Sequence, residues 1–195
     1  MQRINNQRPT YYKDKIILPP NENELIALAA EDGSKLWESE LDSNYQSSFF
    51  HGIYSTPIIL GDVVLSSNYV GKTEAFDIES GKKKWQQYIS IKNKPFIFEK
   101  VMFAVTEDQH LIALTSDGKL KWRVPIDKTN YGPILFNNLL WLFDDKGKAY
   151  GYRVHTGKQV DKIDIPKGLS YPPFILDSLI YSFDQNGNLL VIGKK

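Results

Sequence analysis

An all-β protein built from one recurring antiparallel unit is what the sequence predicts, and three observations predict it. Five prolines, Pro9, Pro57, Pro95, Pro133 and Pro173, open similar segments at intervals of 48, 38, 38 and 40 residues. The first four lead after 23 or 24 residues to Gly33, Gly81, Gly118 and Gly157, and the first three glycines are followed four residues on by Trp37, Trp85 and Trp122. Between these marks, apolar and polar residues alternate with a period of two, as in a half-buried strand. A period of about 40 residues belongs to arrays of small supersecondary units, none of which can bury its apolar face alone.

The third copy shows the unit most clearly, as four strands at Phe96–Phe98, Val101–Thr106, His110–Leu114 and Lys119–Ile126. In the last of these, Leu120, Trp122, Val124 and Ile126 alternate with Lys119, Lys121 and Arg123. Turn residues separate the strands. Asp32-Gly33, Ser80-Gly81 and Asp117-Gly118 fall between the third and fourth strands, and Lys146-Gly147 and Asn186-Gly187 between the second and third. Glycine there supplies a positive φ at little cost. The opening proline suits the start of a first strand, where a missing donor is tolerated. Glu24–Ala30 would pass alone as a helix by propensity. Its counterparts Lys72–Ile78 and His110–Thr115 are short and turn-bounded, so it is read as strand.

Four strands in about 40 residues form the blade of a β-propeller. The chain then reads as a single partial propeller with blades at 9–41, 57–91, 95–126, 133–165 and 173–195, four complete and the fifth three-stranded. Trp37, Trp85 and Trp122 are assigned to packing between blades. Copy four carries Asp161 at the tryptophan offset and Gly151-Tyr152 in place of Ala-Leu, so its packing on the next blade is expected to be looser.

Composition narrows the function. Of 195 residues, 42% are hydrophobic and 24% charged, unlike a disordered chain. The net charge of +1 creates no field for nucleic acid or an anionic membrane surface. No apolar run is long enough to span a membrane, and Met1–Asn6 has no signal-peptide character. With no cysteine, these residues offer neither disulfide, thiol nucleophile nor lipidation site. His51, His110 and His155 are too scattered for a metal centre. No catalytic, cofactor or metal residue is assigned.

Fragments of chemistry dissolve on inspection. Gly71-Lys72-Thr73 lacks the earlier glycine of a phosphate loop, having Ser66 there, and lies in a hairpin. Glu107-Asp108 and Asp144-Asp145 occupy equivalent hairpins, where Asp is a turn residue. Lys82-Lys83-Lys84 reads as edge lysines that deter strand addition.

One segment breaks the period. Trp85 to Pro95 is 10 residues and Trp122 to Pro133 is 11, but Trp37 to Pro57 is 20. The surplus contains Tyr45, Phe49, Phe50, His51 and Tyr54, aromatic anchors suited to a protein-binding loop. Folding back to plug the ring or cover a blade is an equal alternative.

The motif Ala75-Phe76-Asp77-Ile78-Glu79-Ser80-Gly81-Lys82-Lys83-Lys84-Trp85, with its copies Ala27–Trp37 and Ala113–Trp122, resembles the quinoprotein or PQQ-like propeller repeat. Within that superfamily, Phe50–Pro57 running to Trp85–Ile89, and the ending Leu179–Leu190, are most similar to the C-terminal part of the BamB family. That resemblance implies an eight-bladed, cofactor-free periplasmic scaffold on the outer membrane that binds the barrel-inserting subunit of its assembly machinery. The chain is then expected to be the C-terminal portion of a longer propeller, or the product of a shortened gene. Where the family places partner-contacting arginine and acidic residues, this chain has His51 nearby and the basic stretch Ser90-Ile91-Lys92-Asn93-Lys94. Residues 1–8 could complete blade five in a small closed ring; the favoured alternative is an open arc that self-associates through its free blades. A PQQ-dependent dehydrogenase fragment, or a free-standing small propeller binding another protein or a glycan, are the competing readings.

Overall fold

The structure, a computed structural model, describes residues 8–21, 24–42, 56–67, 71–92, 94–165 and 168–193. These residues contain strands and turns and no helix. The chain divides into two compact units, residues 1–90 with 115–119, and residues 91–114 with 120–195.

The first unit holds two antiparallel meanders. One is β1 (Thr10–Tyr12), β2 (Lys15–Asn21), β3 (Glu24–Ala29) and β4 (Lys35–Glu40). The other is β5 (Ile58–Leu60), β6 (Val63–Ser67), β7 (Thr73–Asp77) and β8 (Lys83–Gln87). The helix-prone segment at Glu24 is strand β3, because it pairs with a strand on each side. Tertiary pairing outweighs weak intrinsic preference. Ile17, Leu25, Ala27, Trp37 and Leu41 from the first sheet interdigitate with Val64 and Phe76 of the second. Each large apolar side chain so buried contributes roughly 1.5–3 kcal/mol.

The second unit holds three meanders. They are β9 (Phe96–Phe98), β10 (Val101–Val105), β11 (His110–Thr115) and β12 (Leu120–Pro125); β13 (Tyr131–Phe136), β14 (Leu139–Phe143), β15 (Lys148–Arg153) and β16 (Gln159–Asp164); and β17 (Phe174–Leu176), β18 (Leu179–Phe183) and β19 (Leu189–Ile192). Its cores are Phe103, Val105, Leu111 and Ala113 against Leu140, Leu142, Tyr150 and Tyr152, then Trp141, Phe143, Ile165 and Leu169 against Ile180. All five sheets are propeller blades, four of four strands and one of three.

Register explains the sequence spacing. Ala27 faces Trp37, Ala75 faces Trp85 and Ala113 faces Trp122 across the third and fourth strands. In each sheet the register shifts by one residue directly afterwards, leaving Leu36, Lys84 and Lys121 unopposed. This β-bulge twists the outer strand at the same point of these three copies. Blade four keeps the bulge but opposes Gly151 to an exposed Asp161. Trp141 of β14 fills that space instead, 3.2 Å from where a Gly151 Cβ would lie. Its indole donates to Phe136 O of its own blade.

One opening proline departs from expectation. Pro9, Pro57, Pro95 and Pro173 precede their strands, but Pro133 lies inside β13. It falls within a register shift between Tyr131 and Ile134, so the ladder loses no regular bond there.

Candidate functional site

In the second unit the segments leading into β9, β13 and β17 are anchored alike. Lys92, Asn130 and Ser170 each donate a backbone N–H, at 2.8, 2.8 and 2.9 Å, to Val105, Phe143 and Phe183 at the ends of β10, β14 and β18. Three equivalent anchors bring three equivalent prolines together. Pro95, Pro133 and Pro173, with Phe96, Ile134 and Phe174 just after them, line a cleft of about 640 Å³. Tyr131 adds a further ring, and Lys92 and Lys94 contribute two ammonium groups. Neither lysine is in an ion pair among the described residues; Lys92 Nζ lies 3.4 Å from Thr129 O. Proline and aromatic walls with unneutralised cations suit an extended, acidic polypeptide segment. The basic stretch was legible in the sequence. The apolar lining was not, although a large apolar residue follows each of these prolines and could have signalled it.

The residues proposed from sequence for protein binding, Tyr45, Phe49, Phe50, His51 and Tyr54, lie outside the described residues. The three tryptophans share one geometry. Trp37 Nε1 donates to Ile78 O at 3.1 Å, Trp85 Nε1 to Ser116 O at 2.7 Å, and Trp122 Nε1 to Val154 O at 3.0 Å. Each ring lies against a glycine of the following copy, Gly81, Gly118 or Gly157, so close that an added Cβ would sit 2.6–2.8 Å from a ring carbon. Two residues beyond the ring, Ser39 Oγ and Gln87 Nε2 donate to the carbonyls of Gly81 and Gly118. Trp85, Ser116 and Gly118 all lie in the first unit.

The acidic pairs are turn braces. The buried Asp144 carboxylate accepts the N–H groups of Lys146 and Lys148 at 2.9 and 2.8 Å, and Asp184 repeats the pattern with Asn186 and Asn188. Asp108 accepts from the Thr106 hydroxyl and pairs with Arg123, which lowers its pKa. In the lysine run, Lys83 reaches inward to the buried Glu74 at 2.6 Å and to Asp42 at 3.0 Å, while Lys84 pairs with Asp77. Hydrogen bonds from Lys72 and Lys83 hold the Asp42 carboxyl below its usual range. No group of three His, Asp or Glu side chains able to hold a metal occurs among the described residues.

The profile of the family described as Outer membrane protein assembly factor BamB matches residues 2–97 and again residues 89–192. The chain belongs to the BamB family. BamB of Escherichia coli (strain K12) is 22% identical over 192 residues, 94% of this chain and 49% of the relative. The chain thus spans about half the length of that BamB. The crystal structure of BamB from Moraxella catarrhalis superposes with a TM-score of 0.54 at 14% identity, covering 96% of this chain and 69% of that one. A europium-containing methanol dehydrogenase superposes with a TM-score of 0.63 at 14% identity, covering 91% and 51%. At such identities both likenesses concern the fold alone.

Proposed function

We propose that the chain is a BamB-like, non-enzymatic protein-binding scaffold that serves outer-membrane protein assembly in the periplasm. The observation that carries this reading is the cleft at Lys92, Lys94, Phe96, Tyr131 and Phe174, held on rigid blades in a member of the BamB family. Its cations and rings accept an acidic, extended segment of a partner, for which the barrel-inserting subunit of the assembly machinery is the first candidate. Trp37, Trp85 and Trp122 serve the scaffold by packing successive blades, and Tyr45, Phe49, Phe50, His51 and Tyr54 belong to a second protein-binding segment.

The test is co-purification of the chain with the periplasmic part of that subunit. Retention by the wild type, and loss on Lys92→Glu with Lys94→Glu, supports the reading; equal retention of both, or of neither, overturns it. Addition of PQQ with calcium, followed by dye reduction, addresses the dehydrogenase alternative, and the scaffold reading expects no turnover.

A further inference from the structure

The three strands that enter the cleft are edge strands, and each is blunted against the addition of another strand. β9, β13 and β17 stand at the margins of their sheets, with one side paired and one side free. β9 and β17 are only three residues long, and each follows directly on a proline, Pro95 or Pro173. β13 is longer but carries Pro133 within the register shift between Tyr131 and Ile134. Shortness, proline and bulges are the devices by which an edge refuses a further strand.

The segments leading into these strands add no ladder of donors. The N–H groups of Lys92, Asn130 and Ser170 are spent on β10, β14 and β18, and Pro95, Pro133, Pro172 and Pro173 have none. A polypeptide that satisfies its backbone by pairing finds no continuous partner there. What the walls offer is side-chain surface. Phe96 and Tyr131 are half-buried and Phe174 is 52% exposed, all three among the prolines and beside the ammonium groups of Lys92 and Lys94. A polyproline II helix meets those terms, because it has no internal hydrogen bonds, keeps its backbone solvated and repeats every three residues, about 9 Å. Apolar residues along one edge of it rest on rings, while acidic residues along the next edge meet cations. Its stiffness also lowers the ordering cost of binding.

Building on the scaffold reading, we propose that the cleft takes its acidic partner segment as a polyproline II helix and rejects the same charge presented as a β-strand. Prolines of the segment stack on the rings of Phe96, Tyr131 and Phe174, and its carboxylates pair with Lys92 and Lys94. The partner is then a protein with an acidic, proline-containing linker or tail.

Two blocked peptides of equal length and charge test this at low salt, one repeating Pro-Glu-Ala and the other repeating Val-Glu-Thr, each titrated into the whole chain by calorimetry. The Pro-Glu-Ala peptide is expected to bind more tightly by about tenfold or more. It should lose most of that advantage in Phe174→Ala, which removes a ring that is 52% exposed. Equal binding of the two peptides, a preference for Val-Glu-Thr, or an advantage that survives Phe174→Ala overturns the proposal while the acidic-segment reading of the cleft stands. Binding of neither peptide overturns both, so the two failures are distinguishable. A chain that dimerises and becomes monomeric on Lys92→Glu with Lys94→Glu also overturns the proposal, because the cleft then takes a second copy.

Discussion

Trp37 lies flat against Gly81, and a methyl group at Gly81 would fall 2.8 Å from two of its ring carbons. The two residues are 44 apart and belong to successive blades. Space and backbone conformation both demand glycine, since φ is 72° there. Gly81→Ala is expected to cost about 2–4 kcal/mol, from left-handed strain plus overpacking. Gly33→Ala meets no neighbour within 4 Å among the described residues and carries only the strain, about 1–2 kcal/mol. Urea unfolding of the two variants measures the difference, and equal losses would remove the stacking contact from the account.

The ring side of this contact is tested at Trp122, whose indole donates to Val154 O at 3.0 Å. Trp122→Phe keeps most of the packing and loses the bond, for about 1 kcal/mol. Trp122→Ala empties the space between Phe103 and the Gly157 turn, for about 3–5 kcal/mol. Thermal unfolding with both variants should rank them in that order.

The offsets that exposed the repeat acquire different physical meanings in the structure. Ala75 and Trp85 are ten residues apart because they face each other across one hairpin, and that pairing was readable from a single copy. The distance from Gly33 to Trp37 reflects only where a turn and a strand fall; the glycine that Trp37 touches is Gly81, in the next copy. A period cannot reveal contacts between periods. The hairpins at Glu99-Lys100, Asn137-Asn138 and Asp177-Ser178 were also illegible, because pairs of positive-φ residues were met there without glycine. Of the site, Lys92 and Lys94 stood out as a charge departure, whereas the cleft required three distant prolines to converge.

Asp144 and Asp145 are adjacent but should behave differently. Asp144 holds two backbone N–H groups inside its turn, while the Asp145 side chain is exposed. Asp144→Ala is expected to lose about 1–3 kcal/mol by orphaning those donors. Asp145→Ala should stay within about 0.5 kcal/mol of the wild type. Chemical denaturation distinguishes this brace from a pair acting in catalysis, which has no reason to separate them.

Acid should reach the blades through Asp77. Its carboxylate accepts the Ser80 hydroxyl at 2.8 Å and the Ser80 N–H at 2.9 Å, which lower its pKa to about 2 from an ordinary 3.8. A depressed folded pKa means that its stabilisation is complete above pH 4 and disappears as pH falls from there towards 2. Asp77→Asn removes a proton uptake that the unfolded wild type completes first. Melting temperatures between pH 5 and 2 should therefore fall less steeply in Asp77→Asn. Parallel curves would show that the Ser80 contacts do not favour the ionised form.

The cleft makes the most direct claim about function, and its two components can be separated by salt. Lys92 and Lys94 act on an acidic partner through charges at a solvent-filled mouth, where attraction is screened over about 8–10 Å at ordinary ionic strength. Phe96 and Tyr131 act by burying apolar surface, which salt does not weaken. Raising salt from about 50 to about 300 mM should thus weaken wild-type binding to the periplasmic part of the barrel-inserting subunit, chiefly by slowing association. Lys92→Glu with Lys94→Glu should bind at least tenfold more weakly at low salt and reverse that salt dependence, because salt then screens a repulsion instead of an attraction. Phe96→Ala should bind more weakly at every salt concentration, with the wild-type slope preserved. Titration calorimetry at the two salt concentrations reads both effects, and a charge-reversed variant that retained the wild-type slope would place the electrostatic contact elsewhere on the molecule.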